Sequence, residues 1–107
     1  MQLSTRVDTV GASIVITVDG SVDLSSIGRL HDDLTRAVRR HPGATLVLDL
    51  DAVEALDDAG LGIILGAAAT ARDGAGELEV VCTRPALLAR LARTRFDRAV
   101  DVRGSIA

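Results

Sequence analysis

Short β-branched runs alternate with segments of helical periodicity along almost the whole chain, and no other feature of the sequence restricts its fold as much. Ser13–Val18, SIVITV, is bounded by Gly11 and by Asp19-Gly20 and is predicted to be a strand. Leu3–Val7 is its expected antiparallel partner across the turn DTVGA. Ile27, Leu30, Leu34, Ala37 and Val38 then recur at helical spacing. The helix they define starts at Asp23 or at Ser25 and Ser26, and it stops at Pro42-Gly43. Thr45–Leu50, TLVLDL, has the continuous apolar character of a buried strand, and a second helix follows, ending near Asp73–Gly76. Glu77–Cys82 is predicted as a strand, Pro85–Thr94 as a helix with proline in its first turn, and Ala99–Val102 as a short closing strand. Strands separated by helices of this length form β-α-β units, so the sheet is expected to be mostly parallel.

Composition narrows what such a sheet can do. The chain has 107 residues, of which 48% are hydrophobic and 25% charged, as in globular proteins that bury one core. Phe96 is the sole aromatic residue, which leaves no platform on which nucleic-acid bases could stack. The net charge of -3 gives no overall attraction to phosphate backbones or anionic lipid. Neither a nucleic-acid partner nor membrane insertion is therefore expected; the longest uncharged apolar stretch, Ala59–Ala71, is too short to span a bilayer. The N-terminal residues lack the pattern of a signal peptide, and the lone Cys82 cannot form an internal disulfide. The expected compartment is the cytoplasm.

Charge is unevenly placed along the chain. Asp49, Asp51, Glu54, Asp57 and Asp58 put five acids within ten residues with no base among them. Arg84, Arg90, Arg93, Arg95, Arg98 and Arg103 face only Asp97 and Asp101 in the C-terminal part. Two solvated faces are the ordinary account of such runs. The alternative is an acidic surface at the C-terminal end of the third strand, where open α/β sheets meet ligands and partners.

The run LDDAGLGIILG, Leu56–Gly66, concentrates the candidate chemistry. Gly60, Gly62 and Gly66 resemble a dinucleotide fingerprint with the last glycine one residue late. Asp57 and Asp58, however, stand where a pyrophosphate would have to sit, and small residues that bring the helix close to the sheet are the simpler explanation. Asp49 and Asp51 alternate at a strand end and could join a magnesium site, but neither a lysine nor a neighbouring histidine supports one. His31 and His41 are expected at the surface. Ser25, Ser26 and Cys82 lack an identifiable base, and Cys82 is expected to be buried. No catalytic residue, metal or cofactor is expected, and the chain is not expected to be an enzyme. Helix capping accounts for one aspartate before Gly-Leu-Gly, at about 1 kcal/mol, and leaves the second unexplained.

The run LVLDLDAVEALDDAGLGIILG, together with VDGSVD at Val18–Asp23, resembles the STAS domain of bacterial anti-sigma factor antagonists, also called anti-anti-sigma factors. The similarity extends over nearly the whole chain. It implies one STAS domain spanning 1–107, of α/β class. The sheet is mostly parallel with four to five strands and an antiparallel N-terminal strand, packed by about four helices. It also implies a binding module that regulates a sigma factor through an anti-sigma factor partner, a GHKL-type serine kinase-like protein. The family motif reads Asp-Ser-Ser-Gly-Leu-Gly, and its first serine is phosphorylated by that partner. Here Asp57-Asp58-Ala59-Gly60-Leu61-Gly62 stands in its place, so Asp58 occupies the phosphorylated position and has no hydroxyl to modify. One carboxylate carries about half the charge of phosphoserine. The chain is therefore either held in the released-like state or bound constitutively by an adapted partner, and the second is favoured. The implied docking surface comprises Asp57, Asp58, Ala59, Gly60 and Leu61 with Asp23 in the neighbouring loop. Two alternatives stand beside it: a STAS subunit of a lipid or solute ABC transport complex, and, from another class, a small nucleotide- or metal-binding enzyme.

Overall fold

A computed structural model describes residues 2–104. The chain opens with a hairpin of β1 (Ser4–Val10) and β2 (Ser13–Val22) and passes into α1 (Ile27–Arg40). It continues through β3 (Thr45–Leu56), α2 (Asp58–Asp73), β4 (Glu77–Val81), α3 (Pro85–Arg93) and the short α4 (Phe96–Ala99) to β5 (Asp101–Arg103). The five strands form one sheet in sequence order, β1-β2-β3-β4-β5. β1 runs antiparallel to β2, and every later pair is parallel. The expected class, an α/β sheet that is parallel apart from its N-terminal strand, is therefore found.

Sheet order and helix placement share a cause. Each parallel crossover is right-handed by preference, and successive strands are laid down in one direction, so the crossover helices fall on a single face. Ile16 and Val18 of β2, Leu46, Leu48 and Leu50 of β3, and Leu78 and Val80 of β4 point to that face. There they meet Leu30, Leu34, Ala37 and Val38 of α1, Leu61, Ile64 and Ala68 of α2, and Leu87, Leu91 and Phe96. Strand alternation sends Val15, Val47 and Val81 to the opposite face, where they form a small separate cluster.

Several boundaries differ from the sequence expectation. β1 continues through Asp8 and Thr9 to Val10, so the turn is Gly11-Ala12 alone, with Gly11 at φ 60° as the first residue of a two-residue hairpin loop. β2 passes beyond Asp19-Gly20 to Val22 with register shifts against β3, and β3 runs six residues past Leu50. Polar residues at Asp49, Asp51 and Glu54 hid that extension, because they alternate with buried Leu50 and Val53 on a strand with one open face. Ala99 closes α4 rather than opening β5, which spans only three residues. Among the described residues, no helix is long and apolar enough to cross a membrane.

Candidate functional site

The C-terminal ends of β2 and β3 lie side by side, with Val22 paired to Leu56, and the chain leaves both strands at the same end of the sheet. From β2 it enters the loop Asp23–Ser26; from β3 it turns at Asp57 directly into α2. The Asp57 N–H donates to the Val22 carbonyl at 3.2 Å, which ties the two exits together. This junction holds every residue of the expected docking surface.

The two adjacent aspartates have different roles. Asp57 is extended, with φ -87° and ψ 174°, and its Oδ1 accepts the Gly60 N–H at 2.9 Å. It is the helix cap. Asp58 is the first helical residue and is exposed over 88% of its side chain. Its Oδ1 accepts from Arg90 Nη2 of α3 at 2.6 Å, and the arginine side chain is only 30% exposed. The acidic run that lacks a base in sequence thus receives one from a helix 32 residues on.

Ala59 is exposed beside Asp58, whereas Gly60 and Leu61 face inward. A Cβ at Gly60 would stand 2.6 Å from Val22 Cγ1 and 2.7 Å from Leu56 Cδ1, so glycine is what lets α2 approach the two strands. Gly62 and Gly66 have no such neighbour within 4 Å, and close packing of helix on sheet accounts for Gly60 alone. The open surface of the junction consists of Asp58 and Ala59, with Asp57 half-buried and Gly60 and Leu61 forming its floor.

The neighbouring loop is organised around Asp23. Its Oδ1 accepts the Ser25 N–H at 3.0 Å and the Ser25 hydroxyl at 2.7 Å. The Ser26 hydroxyl donates to the Ser21 carbonyl at 2.9 Å and accepts the Asp23 N–H at 3.0 Å. The Ser25 side chain, then its backbone N–H, hold the Asp23 carboxyl below its ordinary value. Both serine hydroxyls are engaged in loop structure. Leu24, at the tip, is 88% exposed, and the sequence does not mark it, because a lone leucine in a polar loop carries no periodic signal.

The other acids serve the strand end. Asp49 Oδ1 accepts the Asp51 N–H at 3.0 Å. Asp51 accepts the Thr83 N–H at 2.6 Å and the Thr83 hydroxyl at 3.1 Å, linking β3 to the exit of β4. Arg84 donates to the Val53 carbonyl in the same region. Cys82 is fully buried, and burial pushes its thiol up, so it is an inert core residue. No group of three or more His, Cys, Asp or Glu side chains among the described residues is arranged to hold a metal ion.

The family described as "Mlab, STAS domain" matches residues 5–103. A crystal structure of an anti-sigma factor antagonist from Mycobacterium paratuberculosis superposes with a TM-score of 0.87 at 26% identity, covering 98% of this chain and 88% of that one. The protein tm1081 from Thermotoga maritima gives a TM-score of 0.84 at 16% identity, over 95% and 87% of the two chains. The phosphorylated form of the Bacillus cell fate determinant SpoIIAA gives 0.66 at 17% identity, over 92% and 90%. At those identities the last two show a shared fold alone.

Proposed function

The chain belongs to the STAS domain family, and from that premise we propose that it is a binding module that antagonises an anti-sigma factor, docking through the junction around Asp58. The observation that carries this is the placement of Asp58, exposed in the first turn of α2 where β2 and β3 end. The similarity to the Mycobacterium paratuberculosis antagonist supports the class of partner. One STAS domain over 1–107, acting in the cytoplasm, carries the activity, and the binding residues are Asp23, Asp57, Asp58, Ala59, Gly60 and Leu61. Binding requires no catalytic step from this chain. Asp57 fixes the start of α2 and Asp23 fixes the adjoining loop, so a partner meets a surface ordered before contact, which lowers the entropic cost of association.

Asp58 stands at the phosphosite-equivalent position, and a fixed carboxylate there has a direct electrostatic consequence. A phosphoryl group would bring about -1.5 to -2 charge and weaken docking where a partner presents acidic or apolar surface. Asp58 brings a single charge, and the Arg90 guanidinium beside it offsets much of that. The junction therefore resembles the unmodified surface more than the phosphorylated one, which supports constitutive binding by an adapted GHKL-type kinase-like partner.

The experiment is affinity capture of partners from the chain's own cells, followed by incubation of the chain and of Asp58→Ser with the recovered protein and ATP. Recovery of a kinase-like anti-sigma factor, with phosphate entering Asp58→Ser alone, is the expected result. Recovery of a transporter ATPase with its permease would replace the proposed partner. Phosphate on residue 58 of the unaltered chain would overturn the constitutive site.

A further inference from the structure

The sheet ends in two edges of different character. β5 is three residues long, a length that offers little to a passing strand. β1 presents seven residues, without proline and without a register shift against β2, and none of its positions is fully buried. Val7 and Val10 on it are 50% and 49% exposed, two of only three large apolar side chains exposed to that extent among the described residues. An edge of this length normally carries a device against further pairing. The charges on β1, Arg6 and Asp8, are opposite in sign and joined to each other at 2.9 Å along the strand.

We infer that β1 is the interface of a homodimer, in which the β1 strands of two copies pair antiparallel about a two-fold axis through Val7. The hairpin fixes which groups are free. Val10 and Ser13 close a two-residue loop, so Val10, Asp8, Arg6 and Ser4 turn their N–H and C=O groups toward β2. Thr5, Val7 and Thr9 turn theirs outward. Pairing about Val7 sets Val7 against its own copy and Thr5 against Thr9, with two hydrogen bonds at each of the three pairs. All outward groups on these residues find partners.

The same register matches the side chains. Arg6 faces Asp8 of the second copy and Asp8 faces Arg6, both at the close, non-hydrogen-bonded positions where opposite charges interact best. The Val7 side chains meet and are covered. Hydrogen-bond alternation permits only shifts that keep the centre on a residue. Centring on Arg6 would oppose two arginines, and centring on Asp8 would oppose two aspartates. Like charges directly opposite are destabilising, so the strand sequence Thr-Arg-Val-Asp-Thr accepts its own copy in one register and rejects the neighbouring ones. The product is one continuous sheet with five strands from each copy and both helix layers on the same face. This interface lies at the opposite sheet edge from α3 and Arg90 and does not depend on the proposed partner.

A single strand pair buries less surface than a permanent dimer does, so the association is concentration-dependent, with Kd between about 10 µM and 1 mM. Sedimentation equilibrium of the full chain tests it. The unaltered chain is expected to reach the dimer mass as concentration rises. Arg6→Asp chains alone, or Asp8→Arg chains alone, place like charges at both charged pairs, and each is expected to weaken dimerisation about tenfold or more. An equimolar mixture of the two variants places an acid opposite a base at every charged pair and is expected to restore the dimer, which no effect confined to one chain would produce. Val7→Cys is expected to oxidise to a disulfide-linked dimer more readily than Val10→Cys, because paired Cα atoms at Val7 stand about 5.5 Å apart. A chain that stays monomeric to about 1 mM overturns the dimer. Variants whose mixture fails to recover, or faster linkage through Val10→Cys, overturn the pairing and its register.

Discussion

Asp57 and Asp58 are chemically identical and adjacent, yet only Asp57 is committed to the fold. Its carboxylate satisfies a free N–H of the first turn, whereas that of Asp58 stays in solvent against Arg90. Asp57→Ala is accordingly expected to cost about 1 kcal/mol in urea unfolding. Asp58→Ala changes stability by no more than about 0.5 kcal/mol, since an exposed ion pair contributes little. If Asp58 lies in the proposed docking surface, a partner-binding measurement is expected to reverse their ranking, with Asp58→Ala the more damaging. The glycines of α2 divide in the same manner. Gly60→Ala forces a methyl against Val22 and Leu56 and is expected to destabilise by about 1–3 kcal/mol. Gly62→Ala meets open space and removes a helix-weakening residue, raising stability by up to about 1 kcal/mol in the same assay. The sequence presents these glycines as equivalents; only the neighbours of each Cβ separate them.

Helix ends and loops show how far local chemistry carries. The DGAG run was legible as the stop of α2, and the chain closes there with the Gly76 N–H bonded to the Ala71 carbonyl and the Ala75 N–H to that of Arg72. That pairing places the left-handed residue at Ala75, φ 64°, one position away from either glycine. Ala75→Gly is expected to raise the unfolding free energy by about 1 kcal/mol, read from the urea midpoint at unchanged slope. The loop after β2 brings a pH dependence. Asp23 has a folded-state value lowered below 3.8 by Ser25, so the charged form favours the folded chain. Its contribution is complete above the ordinary value and is lost as pH falls through the lowered one. The stability difference between the unaltered chain and Asp23→Asn is therefore expected to be constant above about pH 5 and to shrink below pH 3.8, followed by thermal unfolding across the acid range.

Across the whole molecule, an aliphatic core joins one sheet face to every helix, and Leu48 lies at its centre, fully buried on the middle strand. Leu48→Ala is expected to cost about 2–5 kcal/mol in calorimetric or urea unfolding, well above either aspartate substitution at the junction. The acidic and arginine-rich segments, separate in sequence, meet in space where Asp58 accepts from Arg90, and Arg103 pairs with Glu79 of β4 on the open sheet face. Local spacing alone determined the alternation of strands and helices, the mostly parallel sheet, the buried face of α1, and the helix start at Asp57-Asp58, because hydrophobic period and capping act over a few residues. Tertiary structure decided which glycine is required, how far β3 extends, and that Arg90 answers Asp58. Those outcomes depend on atoms brought together from positions some 30 residues apart, and no periodicity along the chain records such a distance.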